Sequence, residues 1–209
     1  MRVLHCFDKY LNSTMNWAYR LIAHTPGVQC IIAAPLLVKN QFYDPRFTYL
    51  RSPWQWEMPA DEWSFSTAQR TLSRVLRPLY WRRVFAGPSE TRPELVHAHF
   101  ASVGCAVVDL TRRYSIPLLC SFYGADYEKL PFHRPAYRAA YRKLFSRAAL
   151  LLCEGEHGAS IDQRAGGVGG SVQRAQVLGG GAIEGGPAGA GPCRQHGGGS
   201  RDRQGGRRS

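Results

Sequence analysis

The sequence predicts an α/β fold: a Rossmann-like parallel sheet with helices on both faces, followed by a disordered C-terminal tail. Three observations predict it. Over residues 1–161, apolar runs of strand length alternate with stretches of helical period, a rhythm that implies βαβ units and a sheet buried on both faces. That span also holds nearly all the Ile, Leu, Val, Phe, Tyr and Trp. From Asp162 onward the 209-residue chain contains no aromatic residue, and Gly, Arg, Gln, Ala and Pro dominate. A segment that poor in large apolar groups cannot offset the entropy of ordering its backbone. The chain therefore divides into a folded domain, 1–161, and a Gly/Arg-rich disordered tail, 162–209.

The elements follow in order. Residues 2–7 read as a first strand that ends in a polar loop, 8–13. Helical spacing follows over 14–24, with Asn12 or Ser13 available as an N-cap. Pro26 and Gly27 break that helix, and 28–34 is a second buried strand. The stretch 40–64 is irregular and aromatic-rich, with a short strand at 47–50. Its Trp54–Trp63 portion either borders a binding groove or covers a sheet edge. Residues 66–85 repeat apolar side chains at Leu72, Val75, Leu76, Leu79 and Val84, with a kink expected at Pro78. Strands at 94–100, 116–122 and 149–153 then alternate with helices at 102–114 and 134–148. In such a sheet, chemistry collects in the loops beyond the carboxyl ends of the strands.

Composition narrows the partners. The formal net charge is +12, with 20 Lys and Arg against 12 acids in the body and 7 against 3 in the tail. That balance favours anionic partners without choosing among nucleic acid, phosphorylated substrate and acidic membrane. The six cysteines show no CxxC spacing, and read as small buried thiols of a reducing compartment. The N-terminus is too soon polar for a signal peptide, and no apolar run approaches the ~20 residues that cross a bilayer. The expected location is cytoplasmic.

The most distinctive residues are Leu95, Val96, His97, Ala98, His99, Phe100 and Ala101, followed by a run from Ile116 through Tyr123, Gly124 and Asp126. Strand alternation puts His97 and His99 on one face, and Val96, Ala98 and Phe100 on the other. His99, at the strand end, either contacts a phosphate or hydroxyl, or is a hydrogen-bonded structural histidine. A metal reading of this pair lacks a third ligand at recognisable spacing. Gly124 follows a strand where the chain turns and is a candidate for positive φ. Asp126 either accepts sugar hydroxyls or caps the following turn.

These motifs give a resemblance. HAHFA followed by IPLLCSFYGADY resembles the N-terminal domain of glycosyltransferase family 4, whose members commonly read HxHf and then iPxvxxxHGxD. Here Tyr123 stands where the commoner motif has histidine. The later LLLCEGEHGA, residues 150–159, is similar to the strand and helix start that come next. The resemblance spans 1–161 and implies the N-terminal half of a GT-B fold. It further implies a retaining transferase that moves a sugar from a nucleotide sugar to a glycan or lipid-linked acceptor. Its catalytic candidates are His99 and Asp126. The cleft-lining candidates are Lys9, Asn12, Ser13, Thr14, Tyr123, Gly124 and Glu154. It implies no metal and no cofactor, the nucleotide sugar being a substrate.

Two departures matter. Many members have a glycine-rich loop after the first strand, facing the donor phosphates as helix N-termini face anions. Here residues 8–16 contain no glycine, and Lys9, Asn12, Ser13 and Thr14 stand as side-chain donors or simple caps. The family would also continue into a donor-binding domain with a Glu-x7-Glu motif, whereas this chain continues into its Gly/Arg tail. The expectation is a C-terminal truncation by frameshift that leaves the chain inactive alone. An authentic Arg/Gly appendage and the acceptor subunit of a split enzyme are the alternatives.

Basic stripes, Arg134, Arg138 and Arg142 on one helix and Arg70, Arg74 and Arg77 on another, read either as solvated faces or as peripheral contacts to the inner face of the membrane. A non-catalytic module for nucleic acid or anionic membrane is the rival function. Nothing resembles an RNA-recognition signature, so nucleic acid is not expected.

Overall fold

The computed structural model describes residues 1–87, 92–154 and 175–178. The sheet strands are β1 (Arg2–Cys6), β3 (Gln29–Ala33), β5 (Thr48–Leu50), β6 (Leu95–His99), β7 (Leu118–Phe122), β8 (Leu150–Glu154) and β9 (Ala175–Leu178). They are all parallel and run in the order β5-β3-β1-β6-β7-β8-β9. Each segment before β9 fell on an expected strand, because runs such as Ile31, Ile32 and Ala33 are buried on both faces. β9 lies inside the span expected to be a disordered tail. Its backbone pairs with β8 in register, Leu151 with Ala175 through Glu154 with Leu178. The rest of 155–209 lies outside the described residues.

The first six strands follow the doubly wound order, which reverses direction between β1 and β6. A crevice therefore opens beyond the carboxyl ends of those two neighbours. A second, two-stranded sheet flanks it, β2 (Lys9–Tyr10) paired with β4 (Leu36–Leu37).

Two apolar clusters sandwich the main sheet. One joins Leu4, Cys6, Ile31, Val96 and Ala98 to Tyr80, Trp81 and Phe85 of α3 (Arg77–Phe85), Val103 and Val107 of α4 (Ala101–Arg113), and Tyr141 and Leu144 of α7 (Pro135–Phe145). The other joins Phe7, Cys30 and Ile32 to Ala18 and Ile22 of α1 (Asn16–Ala23) and to Phe65. Trp54 is buried in the first cluster, whereas Trp56 and Trp63 are exposed. The five described cysteines are free thiols, four of them buried.

Three local expectations are corrected. The helix expected at 66–85 is two helices, α2 (Thr67–Val75) and α3, divided at Leu76. Pro78 has no N–H and its ring crowds the carbonyl four residues back, so the break falls before it. Ser66 caps α2 through a reciprocal box with Gln69, at 3.1 and 2.9 Å. Helix α1 starts at Asn16 with Met15 as N-cap and no side-chain cap. Asn12 instead opens a turn, its carbonyl accepting from Met15 N–H at 2.9 Å. Phe100 departs from strand alternation: its φ of 81° and ψ of 140° swing the ring to the α1 side, against the second cluster.

Close approach of α4 to the sheet requires a glycine. A Cβ on Gly104 would lie 2.6 Å from Cys120 Sγ and 3.1 Å from Leu144 Cδ2, too near for any side chain. Two short helices, α5 (Gly124–Glu128) and α6 (Leu130–His133), follow β7.

Candidate functional site

The crevice between β1 and β6 is a cleft of about 460 Å³. The loop after β1 supplies Asp8, Lys9, Asn12 and Thr14, and the first turn of α1 adds Trp17. Phe100, after β6, and Tyr123, after β7, complete the far wall. Lys9, Asn12, Thr14 and Tyr123 are sequence candidates that the fold brings together here.

The loop after β1 makes its sharp turn without glycine. Leu11 takes a φ of 62°, a left-handed conformation that costs a non-glycine residue about 1–2 kcal/mol. Burial of its side chain and a 2.8 Å bond from Asn40 Nδ2 to its carbonyl hold it there. Phe100 is strained on the opposite wall. Such backbone outliers cost on the order of 1–3 kcal/mol and gather at functional sites.

Two distant residues fix polar groups of the cleft: Glu62, which sequence spacing did not single out, and Arg77, which it read only as part of a basic stripe. Glu62 receives Lys9 Nζ in an ion pair and Ser13 Oγ at 2.7 Å. Hydrogen bonds from Lys9 and then Ser13 hold the Glu62 carboxyl below its ordinary value. Ser13 thus points at Glu62 rather than lining the cleft. Asp8 faces Arg77 of α3, with Oδ1 3.1 Å from Nη1. Desolvation raises the Asp8 carboxyl above its ordinary value, and Arg77 opposes the rise. Both partners lie about fifty to seventy residues along the chain, inside segments whose local pattern says only "loop" and "helix".

His99 is fully buried beneath this cleft. Its Nδ1 is 3.2 Å from the Tyr123 hydroxyl and its Nε2 is 3.2 Å from His5 Nδ1. The Phe7 ring stacks on it, with centroids 4.2 Å apart. His5 was not among the candidates; it joins because β1 and β6 are neighbours, with His5 in register with His97. His97 in turn pairs with Ser121 Oγ at 2.8 Å. Desolvation holds His5 down at about 4 and, with the neighbouring His5 adding to it, His97 at about 3. The same burial pushes His99 well below its ordinary value. All three rings are neutral near pH 7, so the Tyr123–His99–His5 contacts are between neutral donors and acceptors, with the direction of donation set by the tautomers.

The third ligand that the His97–His99 pair lacked in sequence is therefore present in space. Donor atoms of His5, His97 and His99 lie within 4.8 Å of one another. Among the described residues these are the ones able to converge on a transition-metal ion.

The second catalytic candidate is placed otherwise. Asp126 is 2% exposed, and its Oδ2 accepts from Ala101 N–H and Tyr123 N–H, each at 3.1 Å. The carboxylate thus sits at the N-terminus of α4 and fixes the turn after β7, which is the capping alternative. Gly124 is the first residue of α5 and is not in the left-handed region; a Cβ there would meet nothing within 4 Å. The backbone of Glu154 ends β8, and its side chain lies outside the described residues.

Residues 40–167 match the family described as glycosyl transferase 4-like domain. The chain belongs to that family. The match spans β5 through β8 and includes both histidines of β6, Tyr123 and Asp126, while the loop carrying Lys9, Asn12 and Thr14 precedes it. Solved structures similar to this glycosyl transferase 4-like chain include Arabidopsis thaliana UGT89C1 complexed with UDP, at 9% identity and a TM-score of 0.48 over 74% of this chain. The same protein complexed with UDP-L-rhamnose gives 9% identity and a TM-score of 0.49 over 75% of this chain. In both comparisons the chain spans 42% of the other protein's length. No curated protein matches the chain. Among the described residues, no helix is long and apolar enough to cross a membrane.

Proposed function

We propose that the chain is the acceptor-side domain of a retaining glycosyltransferase that uses a nucleotide-sugar donor, and that the cleft above His99 receives the glycan or lipid-linked acceptor. The observation that carries this reading is the convergence of Lys9, Asn12, Thr14 and Tyr123 on one opening at the switch point of the sheet. Such a cleft suits a sugar: Trp17 and Tyr123, with ring centroids 4.6 Å apart, offer apolar faces, and the loop after β1 offers hydroxyl, amide and ammonium groups.

In this reading Tyr123 is the group that touches substrate, and His99 and His5 orient its hydroxyl from below. Asp126 positions the same residue through its backbone. The donor diphosphate needs cationic or N–H stabilisation as it leaves, and a second domain across the cleft would supply it. Exposed Arg70, Arg74, Arg82 and Arg83 on α2 and α3 support a cytoplasmic protein peripheral to an anionic membrane.

The test uses the purified full-length chain. Intrinsic tryptophan fluorescence titrated with short glycans and lipid-phosphate-linked sugars should respond to at least one acceptor class, and Trp17→Phe and Tyr123→Ala should each abolish the response. Transfer of sugar from a nucleotide donor by the chain alone would overturn the acceptor-side assignment.

A further inference from the structure

Three imidazoles meet beneath the floor of the cleft, supplied by two neighbouring strands. His5 stands on β1, and His97 and His99 on β6, with His5 in register with His97. They are 6%, 6% and 0% exposed. One nitrogen from each lies within 4.8 Å of the other two, and the His97 and His99 rings are packed with centroids 3.9 Å apart. Among the described residues no carboxylate forms an ion pair with any of these rings.

The spacing is close to that of a metal centre. Zinc holds imidazole nitrogens at about 2.0–2.1 Å, which puts tetrahedral neighbours about 3.3–3.4 Å from each other. His5 Nδ1 and His99 Nε2 are 3.2 Å apart, so an ion between them needs almost no rearrangement there. His97 has at most about 1.5 Å to close, a movement within reach of its soft χ2 torsion. The outer nitrogen of His99 already has a partner, since Nδ1 is 3.2 Å from the Tyr123 hydroxyl. Coordination through Nε2 places the proton on Nδ1, which then donates to that hydroxyl oxygen, the support that metal-bound imidazoles usually have. Ser121 Oγ, 2.8 Å from His97 Nε2, is a second hydroxyl at the border of the cluster. A donor set of three imidazoles suits zinc rather than calcium or magnesium, which prefer oxygen.

We propose that His5, His97 and His99 bind one zinc ion through an imidazole nitrogen each, with water in the fourth position. Zinc ionises such a water near neutral pH, and the hydroxide offsets part of the charge carried into the interior. The ion clasps β1 to β6 below the switch point of the sheet and fixes the His99 tautomer that faces Tyr123. The proposal does not depend on the glycosyltransferase reading of the cleft, because no cleft-lining side chain is a ligand.

Zinc titrated into the untagged, metal-free full-length chain, in competition with a chromogenic chelator, tests it. One ion should bind per chain, and zinc should raise Tm by several degrees. His5→Gln and His99→Gln should each weaken binding at least about a hundredfold and remove the rise in Tm, with unchanged circular dichroism confirming the fold. His24→Gln, at an exposed histidine outside the cluster, should change neither. X-ray absorption of the zinc-loaded native chain should show three imidazoles around the ion, a readout that needs no variant. No stoichiometric binding, binding indifferent to His5→Gln and His99→Gln, loss of the ion on His24→Gln, or fewer than three imidazoles in the absorption spectrum would each overturn the proposal.

Discussion

The hydroxyl of Tyr123 and Nδ1 of His99 stand 3.2 Å apart, and through this contact the cleft surface is tied to two further buried histidines. The wall residue comes from the loop after β7, the ring beneath it from β6 and the next ring, His5, from β1. A side chain at the cleft is thus oriented by three adjacent strands at once.

Removing that hydroxyl should be felt twice. Tyr123→Phe leaves His99 Nδ1 buried without its partner, which costs about 1–3 kcal/mol. Urea unfolding should show a lower midpoint with an unchanged slope. His5→Ala in the Tyr123→Phe background should add less than it does alone, since both changes break one chain of contacts. Full additivity would show that the two residues act independently.

The histidines set an acid limit on stability. Their folded-state values lie below the ordinary value of 6.5, at about 4 for His5 and about 3 for His97. The unfolded chain therefore takes up more protons as pH falls through 6.5. Stability from these groups is fully present above about pH 6.5 and is lost progressively toward pH 4 and below, by on the order of a few kcal/mol for each ring. Urea midpoints between pH 7.5 and 4.5 should fall, and His97→Gln should flatten the slope. A midpoint constant across that range would contradict the buried, neutral assignment.

Gly104 should tolerate nothing larger. Gly104→Ala places a methyl 2.6 Å from Cys120 Sγ, and the overpacking should cost about 1–3 kcal/mol. Calorimetry should show the fall in Tm, and Gly104→Val should be worse. The double change Cys120→Ala with Gly104→Ala should recover part of the loss.

Ser115 should move stability the other way. It follows α4 with φ of 53°, and the flanking bonds, Ser115 N–H to Arg112 O and Ile116 N–H to Thr111 O, close the helix in a left-handed turn that favours glycine. Ser115 is exposed, so Ser115→Gly removes strain and no packing. It should raise stability by about 1 kcal/mol, read as a higher urea midpoint.

The clamp on Lys9 is testable in the cleft itself. Glu62→Gln keeps the shape and removes the charge that holds Lys9 and Ser13. Lys9 should then reach into the cleft freely, so that acceptor affinity changes several-fold while thermal stability shifts by less than about 1 kcal/mol.

The six strands of the doubly wound order and the helices α1, α4 and α7 were legible in the sequence, because burial on two faces demands continuous apolar runs and packing on one face demands a helical repeat. The motifs around His99 and Tyr123 marked the family for the same reason: their order along the chain survives without knowledge of contacts. Local signals failed where the deciding partner was distant. Nothing near Asp126 says that its carboxylate meets Ala101 N–H, and nothing near Lys9 points to Glu62. The end of α2 at Val75 came from a proline three residues on, whose missing N–H and bulk act upstream.

What the sequence by itself determined was therefore the α/β class, the strand faces and the family, since these rest on periodicity and ordered motifs that are properties of a one-dimensional string. What only the tertiary structure decided was which side chains meet. The strand order sets β1 beside β6, so His5 joins His97 and His99 from more than ninety residues away. Strained backbone at Leu11 and Phe100 shapes the cleft walls, because long-range burial holds conformations that local preference disfavours. Contact between distant residues is fixed by how the sheet is wound, and that information resides in packing rather than in any single segment.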